Sequence, residues 1–357
     1  MLWLNGGPGV SSFLGLFTEN GPFRITKNKT LELRKYSWNK NHNVIYMDNP
    51  VGTGYSFTDN DAGYAKNASD VGRDLLNALV QFFQLFPEFQ TNEFYVTGES
   101  YGGKYIPAVS YAIKNYNLNT KVKINLKGLA IGNGWVDPVN QVSHSQFLYE
   151  IGLIDFNGRE KFQAVEAQIK MLIAQKKYLE AFELLDYFHV EKSLFTELTG
   201  FKYPFNYLKI NVSLTGEFDQ WLQKSDVRNA IHVGNRTFHN STKVVDNLKE
   251  DILKSITDIL ADLLNHYKVL IYNGQFDVII PYSLTENYLM NLDWYGAQEY
   301  KKAIRKHWWV DEELAGYSKT VGNLTEVMVR NAGHMVPEDQ PKWAFDLITR
   351  FTHHMQI

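Results

Sequence analysis

Short apolar runs and helical stripes alternate along the first third of the chain. Val44-Ile45-Tyr46-Met47 is a run of the kind that forms a strand buried on both faces. Behind it, Ser69 predicts an N-cap with Asp70 in the first turn. Val71, Leu75, Leu79, Phe82 and Phe86 then follow at helical spacing until Pro87 stops the run. Phe94-Tyr95-Val96-Thr97 predicts a second strand. A helix from about Tyr101 fits Tyr105, Val109, Ala112 and Tyr116, and Leu129-Ala130-Ile131 predicts a third strand.

The same rhythm returns near the C-terminus. Leu253, Ile256, Leu260 and Leu263 predict one helix, Val269-Leu270-Ile271-Tyr272 a strand and Val327-Met328-Val329 another. Ala344, Leu347, Ile348 and Phe351 form the stripe of a last helix. Strands that alternate with helices imply a mostly parallel, doubly wound sheet covered on both faces. The stretch between reads differently. Phe162, Val165, Ile169 and Leu172 predict one amphipathic helix, Tyr178, Ala181, Phe182, Leu185 and Phe188 another, and Thr199 to Asp219 is irregular and aromatic. The expected organisation is a core in two parts, residues 1–136 and 251–357, with a helical cap inserted at 137–250. Met1 to Leu4 reads as the tail of a strand entering a glycine loop, without the basic start and apolar stretch of a signal peptide. The expectation is that the natural protein begins further upstream and that N-terminal edge strands are missing.

Composition narrows the chemistry. A net charge of -3, from 36 basic and 39 acidic residues, leaves no electrostatic footprint for nucleic acid or an anionic membrane. No apolar run reaches the roughly 18 residues of a membrane span. There is no cysteine, which removes disulfides, thiol catalysis and thiolate-held metal. That absence favours a reducing compartment. Six Asn-X-Ser/Thr sequons, at Asn28, Asn67, Asn211, Asn235, Asn240 and Asn323, point instead to secretion. No metal or organic cofactor is expected, since the histidines lack ligand-like spacing and Gly132-Asn133-Gly134 is too weak a phosphate-loop signal.

Gly98-Glu99-Ser100-Tyr101-Gly102 fits G-x-S-x-G, between a predicted strand and a predicted helix. A serine on that sharp turn projects its hydroxyl above the sheet, and flanking glycines permit the turn. In the α/β-hydrolase fold the partners follow in the order Ser, Asp or Glu, His. Asp277, in Asn273-Gly274-Gln275-Phe276-Asp277, lies just past a strand; alone it would read as a turn aspartate bonding its own backbone. Of ten histidines, His334 is the one that follows a late strand inside a Gly/Pro loop. The expected chemistry is acyl transfer: Ser100 attacks a carbonyl, His334 moves the proton, and Asp277 orients the imidazole.

Five ordered blocks carry a resemblance. They are Asn5-Gly6-Gly7-Pro8-Gly9-Val10-Ser11-Ser12, Glu19 to Phe23, Asp48 to Phe57, Gly98 to Tyr105 and Gly333 to Pro337. Together they resemble the serine carboxypeptidase family over essentially the whole chain, with Ile231 to Asn235 and Val269 to Asp277 nearest the vitellogenic-like branch. The resemblance implies that Gly7 and Tyr101 supply oxyanion-hole N–H groups. It implies that Asn5, Gly6, Glu19 and Glu99 hold the substrate's terminal carboxylate, and that Met335 and Tyr101 wall side-chain pockets. It also implies a peptide substrate with a free C-terminal carboxylate, a secreted or lysosomal location, and a homodimer as an assembly found among relatives. Paired carboxylates share a proton, so peptide cleavage is expected to have an acidic optimum. Val10 stands where the family has a cysteine, Phe201 and Ile210 are expected at two cap cysteine positions, and Gln275 and Phe276 depart from the family's G-D-x-D. Two alternatives keep the same residues. One is a carboxypeptidase-like acyltransferase, and the other an inactive fragment that acts as a binding or protective protein.

Overall fold

The computed structural model describes residues 1–26, 28–189, 193–209 and 217–357, apart from the side chains of 186–189 and 217. Ile210 and the sequon at Asn211 lie outside the described residues. Ten strands are described: β1 Leu2–Leu4, β2 Phe23–Ile25, β3 Leu31–Leu33, β4 Ile45–Tyr46, β5 Phe94–Glu99, β6 Leu126–Gly132, β7 Lys268–Gly274, β8 Lys306–Val310, β9 Glu313–Val321 and β10 Leu324–Val329. Eight of them form one sheet in the order β4-β1-β5-β6-β7-β10-β9-β8, and β2 and β3 make a separate hairpin. From β4 to β10 every pairing is parallel; β9 and β8 then continue antiparallel.

Both faces of the parallel strands are buried, which is why these strands read as unbroken apolar runs. Leu2, Leu4, Val96, Leu129, Ile131, Val269 and Ile271 enter one core cluster. The residues between them, Trp3, Tyr95, Ala130, Leu270 and Tyr272, enter the other. Helices α1 (Ala68–Leu85) and α2 (Gly102–Leu118) pack together on the first face. The helix Pro341–Thr352 covers the second through Trp343, Ala344, Leu347, Ile348 and Phe351. Between β6 and β7 every described regular element is a helix, including Phe156–Ala174, Tyr178–His189 and Thr242–Ile252. Phe201 is partly buried there against the first cluster.

Three local expectations change. The cap of α1 is Asn67, not Ser69. Asn67 has extended backbone, and its side-chain oxygen accepts from Asp70 N at 2.9 Å, so the helix begins one residue before Ser69. The stripe Leu253–Leu263 is not one helix, because one helix ends at Ile252 and the next starts at Thr257. Leu253 and Ile256 keep the periodicity because both are buried, but Ile256 N leaves the helical ladder to donate to Val136 O at 3.1 Å. The antiparallel β8–β9 pair has no counterpart among the predicted elements. It sits at the end of the sheet: most of the edge strand β8 is exposed, and β9 buries polar Ser318 and Lys319 among its apolar positions, so neither reads as a continuous apolar run.

Candidate active site

All the candidate residues come from the carboxyl ends of parallel strands or the loops that follow them. Chain order reverses between β1 and β5: β4 lies on one side of β1, and β5 then returns to the other. Crevices at such reversals are where open α/β sheets bind ligands. In register, Leu4 pairs with Gly98, so the Asn5–Ser12 glycine loop and the Glu99–Tyr101 turn leave the sheet side by side. Gly6 is demanded by that closeness. A Cβ there would lie 2.4 Å from Tyr101 N and 2.7 Å from Ser100 Cβ. Ser100 has φ +58, a left-handed conformation that is costly for a serine and typical of a strained functional turn. Its N–H donates to Gly132 O, and its carbonyl accepts from Gly103 N and Trp135 N, each at 2.9 Å.

Asp277 follows β7 and His334 follows β10, strands that are neighbours in the sheet. Both side chains are buried, and His334 Nδ1 lies 2.7 Å from Asp277 Oδ2. The second Asp277 oxygen accepts from Ile279 N at 2.8 Å and Ile280 N at 3.1 Å. With these backbone donors in place, Nδ1 of His334 carries its proton toward Asp277 and Nε2 is the basic nitrogen. Nε2 is buried and has no hydrogen-bond partner among the described residues. The His334 ring packs edge-on to Phe205 at 5.3 Å, and His334 N donates to Phe205 O at 2.6 Å.

A second cluster lies beneath the glycine loop. The Asn5 side-chain oxygen accepts from Trp3 Nε1 at 2.8 Å and Gly15 N at 2.9 Å. That fixes the amide so that its Nδ2 donates to Glu19 at 2.9 Å and Glu99 at 3.1 Å. Both glutamates are fully enclosed, and the outer oxygen Oε2 of each has no donor among the described residues. Burial raises the Glu19 carboxyl above the ordinary carboxylate range, although Glu99 and Asn5 stabilise its charge. Burial, followed by the charge of Glu19, raises Glu99 further. Burial and mutual repulsion therefore favour a proton on this pair above the pH at which a free carboxyl loses it.

A cleft of about 230 Å³ opens beside Ser100. Gly7, Pro8, Ser100 and Tyr101 line its floor, and Trp135, Phe182, Leu185, Val245, Ile252, Ile279 and Ile280 its walls. Gly7 and Tyr101, the expected oxyanion donors, thus flank the serine. Met335 is buried next to His334 and does not line this cleft.

Residues 1–354 match the family model described as serine carboxypeptidase. The chain belongs to the serine carboxypeptidase family. It is 62% identical to the venom serine carboxypeptidase of Apis mellifera, over 99% of this chain and 77% of that protein. It is 47% identical to the vitellogenic carboxypeptidase of Aedes aegypti, over 99% and 76% respectively. Among solved structures, Kex1(delta)p, a prohormone-processing carboxypeptidase from Saccharomyces cerevisiae, superposes with a TM-score of 0.85 at 27% identity, over 99% of this chain and 82% of that one.

Two residues of this serine carboxypeptidase escaped the sequence reading. Asn133, at φ +43 just past β6, donates to Asp277 Oδ2 at 2.7 Å. The signal that could have marked it is Gly132-Asn133-Gly134, too weak for a phosphate loop but placed just past a strand. Glu338 stands on the short helix Val336–Asp339, which packs against the turn carrying Glu19. Burial, then repulsion from Glu19, raises its carboxyl to about 7. Nothing in the sequence distinguished it from a surface acid.

Proposed function

We propose that the protein removes single residues from the C-terminus of peptides through an acyl-enzyme on Ser100. The observation that carries this reading is the placement, on one rim, of a strained serine turn, a buried His334–Asp277 pair and an amide-organised carboxyl pair. His334 Nε2 takes the Ser100 hydroxyl proton as the oxygen attacks the scissile carbonyl, and returns it to the leaving amine. Hydrogen bonds of this kind are often long in free hydrolases and close with substrate. Asp277 holds the tautomer and stabilises the imidazolium. The N–H groups of Gly7 and Tyr101 receive the developing oxyanion, each worth roughly 3–4 kcal/mol in the transition state.

Asn5, Gly6, Glu19 and Glu99 hold the substrate's terminal carboxylate. A shared proton on the glutamates donates to that carboxylate, and rising pH replaces the bond with repulsion, so the activity has an acidic optimum. None of these carboxylate-binding groups lines the apolar cleft beside Ser100, so the cleft takes the side chain on the acyl side of the scissile bond. Tyr101 contributes to this cleft, and Met335, which does not line it, is assigned to the pocket for the departing C-terminal side chain. Residues 137–250 form the cap that supplies Phe182, Leu185 and Val245 to the cleft, between core segments 1–136 and 251–357. Exposed sequons at Asn28, Asn235 and Asn240 support a secretory-pathway location, lysosomal, vacuolar or extracellular. Among the described residues, no helix is long and apolar enough to cross a membrane.

Digestion of one peptide across a pH series, read by mass spectrometry, tests the reading. It expects stepwise loss of C-terminal residues, fastest at acidic pH, together with fluorophosphonate labelling that Ser100→Ala abolishes. Internal cleavage, or labelling that survives Ser100→Ala, overturns it.

A further inference from the structure

Lys104 is four residues beyond Ser100, in the first turn of α2, and its side chain is 1% exposed. Its partner is Asp251, 7% exposed, with Nζ 3.0 Å from Asp251 Oδ2. The same ammonium donates to the Asp251 main-chain carbonyl. Asp251 Oδ2 also accepts from Ala68 N, the first residue of α1, at 3.1 Å. One aspartate thereby joins the helix that follows the serine turn, the start of α1 and the helix Thr242–Ile252.

That last helix shapes the cleft. Val245 and Ile252 line it, and the Ile252 carbonyl, one residue after Asp251, accepts from the indole of Trp135 at 2.8 Å, itself a cleft residue. At its other end the helix meets the glycine loop: a Cβ on Gly9 would lie 2.9 Å from Val244 Cβ. Gly9 N in turn donates to Tyr105 Oη of α2 at 3.3 Å. Lys104 Nζ lies 5.6 Å from the ring centroid of Tyr101, which floors the cleft. A buried ion pair adds little net stability over apolar residues of similar volume, because desolvation offsets the attraction. In some proteins such a pair serves instead to fix the register of the elements it joins.

We propose that Lys104 and Asp251 are positioning residues that lock helix Thr242–Ile252 against the serine turn and so set the room for a bulky apolar side chain on the acyl side. This rests on the carboxypeptidase reading for its substrate but not for its test. The double variant Lys104→Met/Asp251→Leu removes both charges and leaves neither unpaired. Two readouts are compared with the parent: kcat/KM for blocked dipeptides with Phe or Ala as the penultimate residue, and labelling rates with a bulky and a small alkyl fluorophosphonate. The expected result is a folded protein that labels with the small probe at the parental rate. Its Phe/Ala and bulky/small ratios fall by about tenfold, the scale on which a misfitted apolar pocket discriminates. A folded double variant with both ratios unchanged overturns the proposal and leaves the pair a purely structural contact. If the parent labels but cleaves no peptide, the carboxypeptidase reading fails while the probe ratios still decide the role of the pair. Lys104→Gln/Asp251→Asn, which keeps polar side chains of similar shape and also leaves no buried charge unpaired, provides the same comparison if the first double variant does not fold.

Discussion

Asn133 donates its side-chain amide to the same Asp277 oxygen that faces the His334 imidazole, each at 2.7 Å. Asp277 is completely buried, so every donor it has helps hold its carboxylate oxygens in place. Asn133→Ala removes one donor. It is expected to lower kcat by about tenfold, the effect of one charge-assisted hydrogen bond, while KM stays near the parental value. Asp277→Asn should be far more severe, about 10⁴-fold in kcat, because it reverses the tautomer preference of His334. Steady-state kinetics on one dipeptide series compare the two, and an Asn133→Ala enzyme as fast as the parent would remove Asn133 from the orienting set.

Gly6→Ala tests the contact between the glycine loop and the serine turn. The added methyl meets backbone at 2.4 Å, which no side-chain rotation relieves. The loop must shift, taking the Gly7 N–H with it. Acylation should fall by roughly 10²–10³-fold, as for loss of one oxyanion donor, with a near-parental circular dichroism spectrum. The rate of fluorophosphonate labelling measures this directly.

The carboxyl pair makes a prediction about binding more than turnover. In the parent, KM for peptides should rise as pH climbs and the shared proton of Glu19 and Glu99 is lost. Glu99→Gln replaces the shared proton with an amide that donates at every pH. Its KM should vary less between acidic and neutral pH than the parent's, with kcat changing little. A parental KM that stays flat over that interval would contradict the proposed role of the pair.

Stability should carry the same sign. Glu338 moves from the usual 4.5 to about 7 on folding, chiefly through burial. Between those values the native state holds a proton that the unfolded chain has released, so this contribution is complete below about 4.5 and is lost as pH rises to about 7. At about 1.4 kcal/mol per pKa unit the loss is on the order of 3 kcal/mol. Buried Glu19 and Glu99, also raised, add in the same direction. Melting temperature should therefore fall between pH 5 and 7, and fall less in Glu338→Gln.

The parallel strands were legible because both their faces are buried and their sequences are correspondingly apolar. The candidates Ser100, Asp277 and His334 each sit in a glycine-marked loop just after such a strand, which is the local pattern that singles them out, and the structure brings those loops to one rim. Three kinds of feature were not. Asn67 takes the cap from Ser69 through a side-chain bond that composition does not distinguish. The Leu253–Leu263 stripe records burial, and burial survives where the helical ladder is broken at Ile256. Asn133 and Glu338 acquire their surroundings from elements distant in sequence, Asp277 across the sheet and Glu19 across a helix–turn contact, so no local pattern marks them.

The segment between β6 and β7 supplies most of the apolar wall, whereas the hydroxyl, imidazole and carboxylates issue from strand ends. Preference for a residue and competence to cut can therefore drift apart under selection. Substitutions at Phe182, Leu185 or Val245 would retune what is accepted while the acyl-transfer apparatus, anchored in another part of the polypeptide, stays as it is.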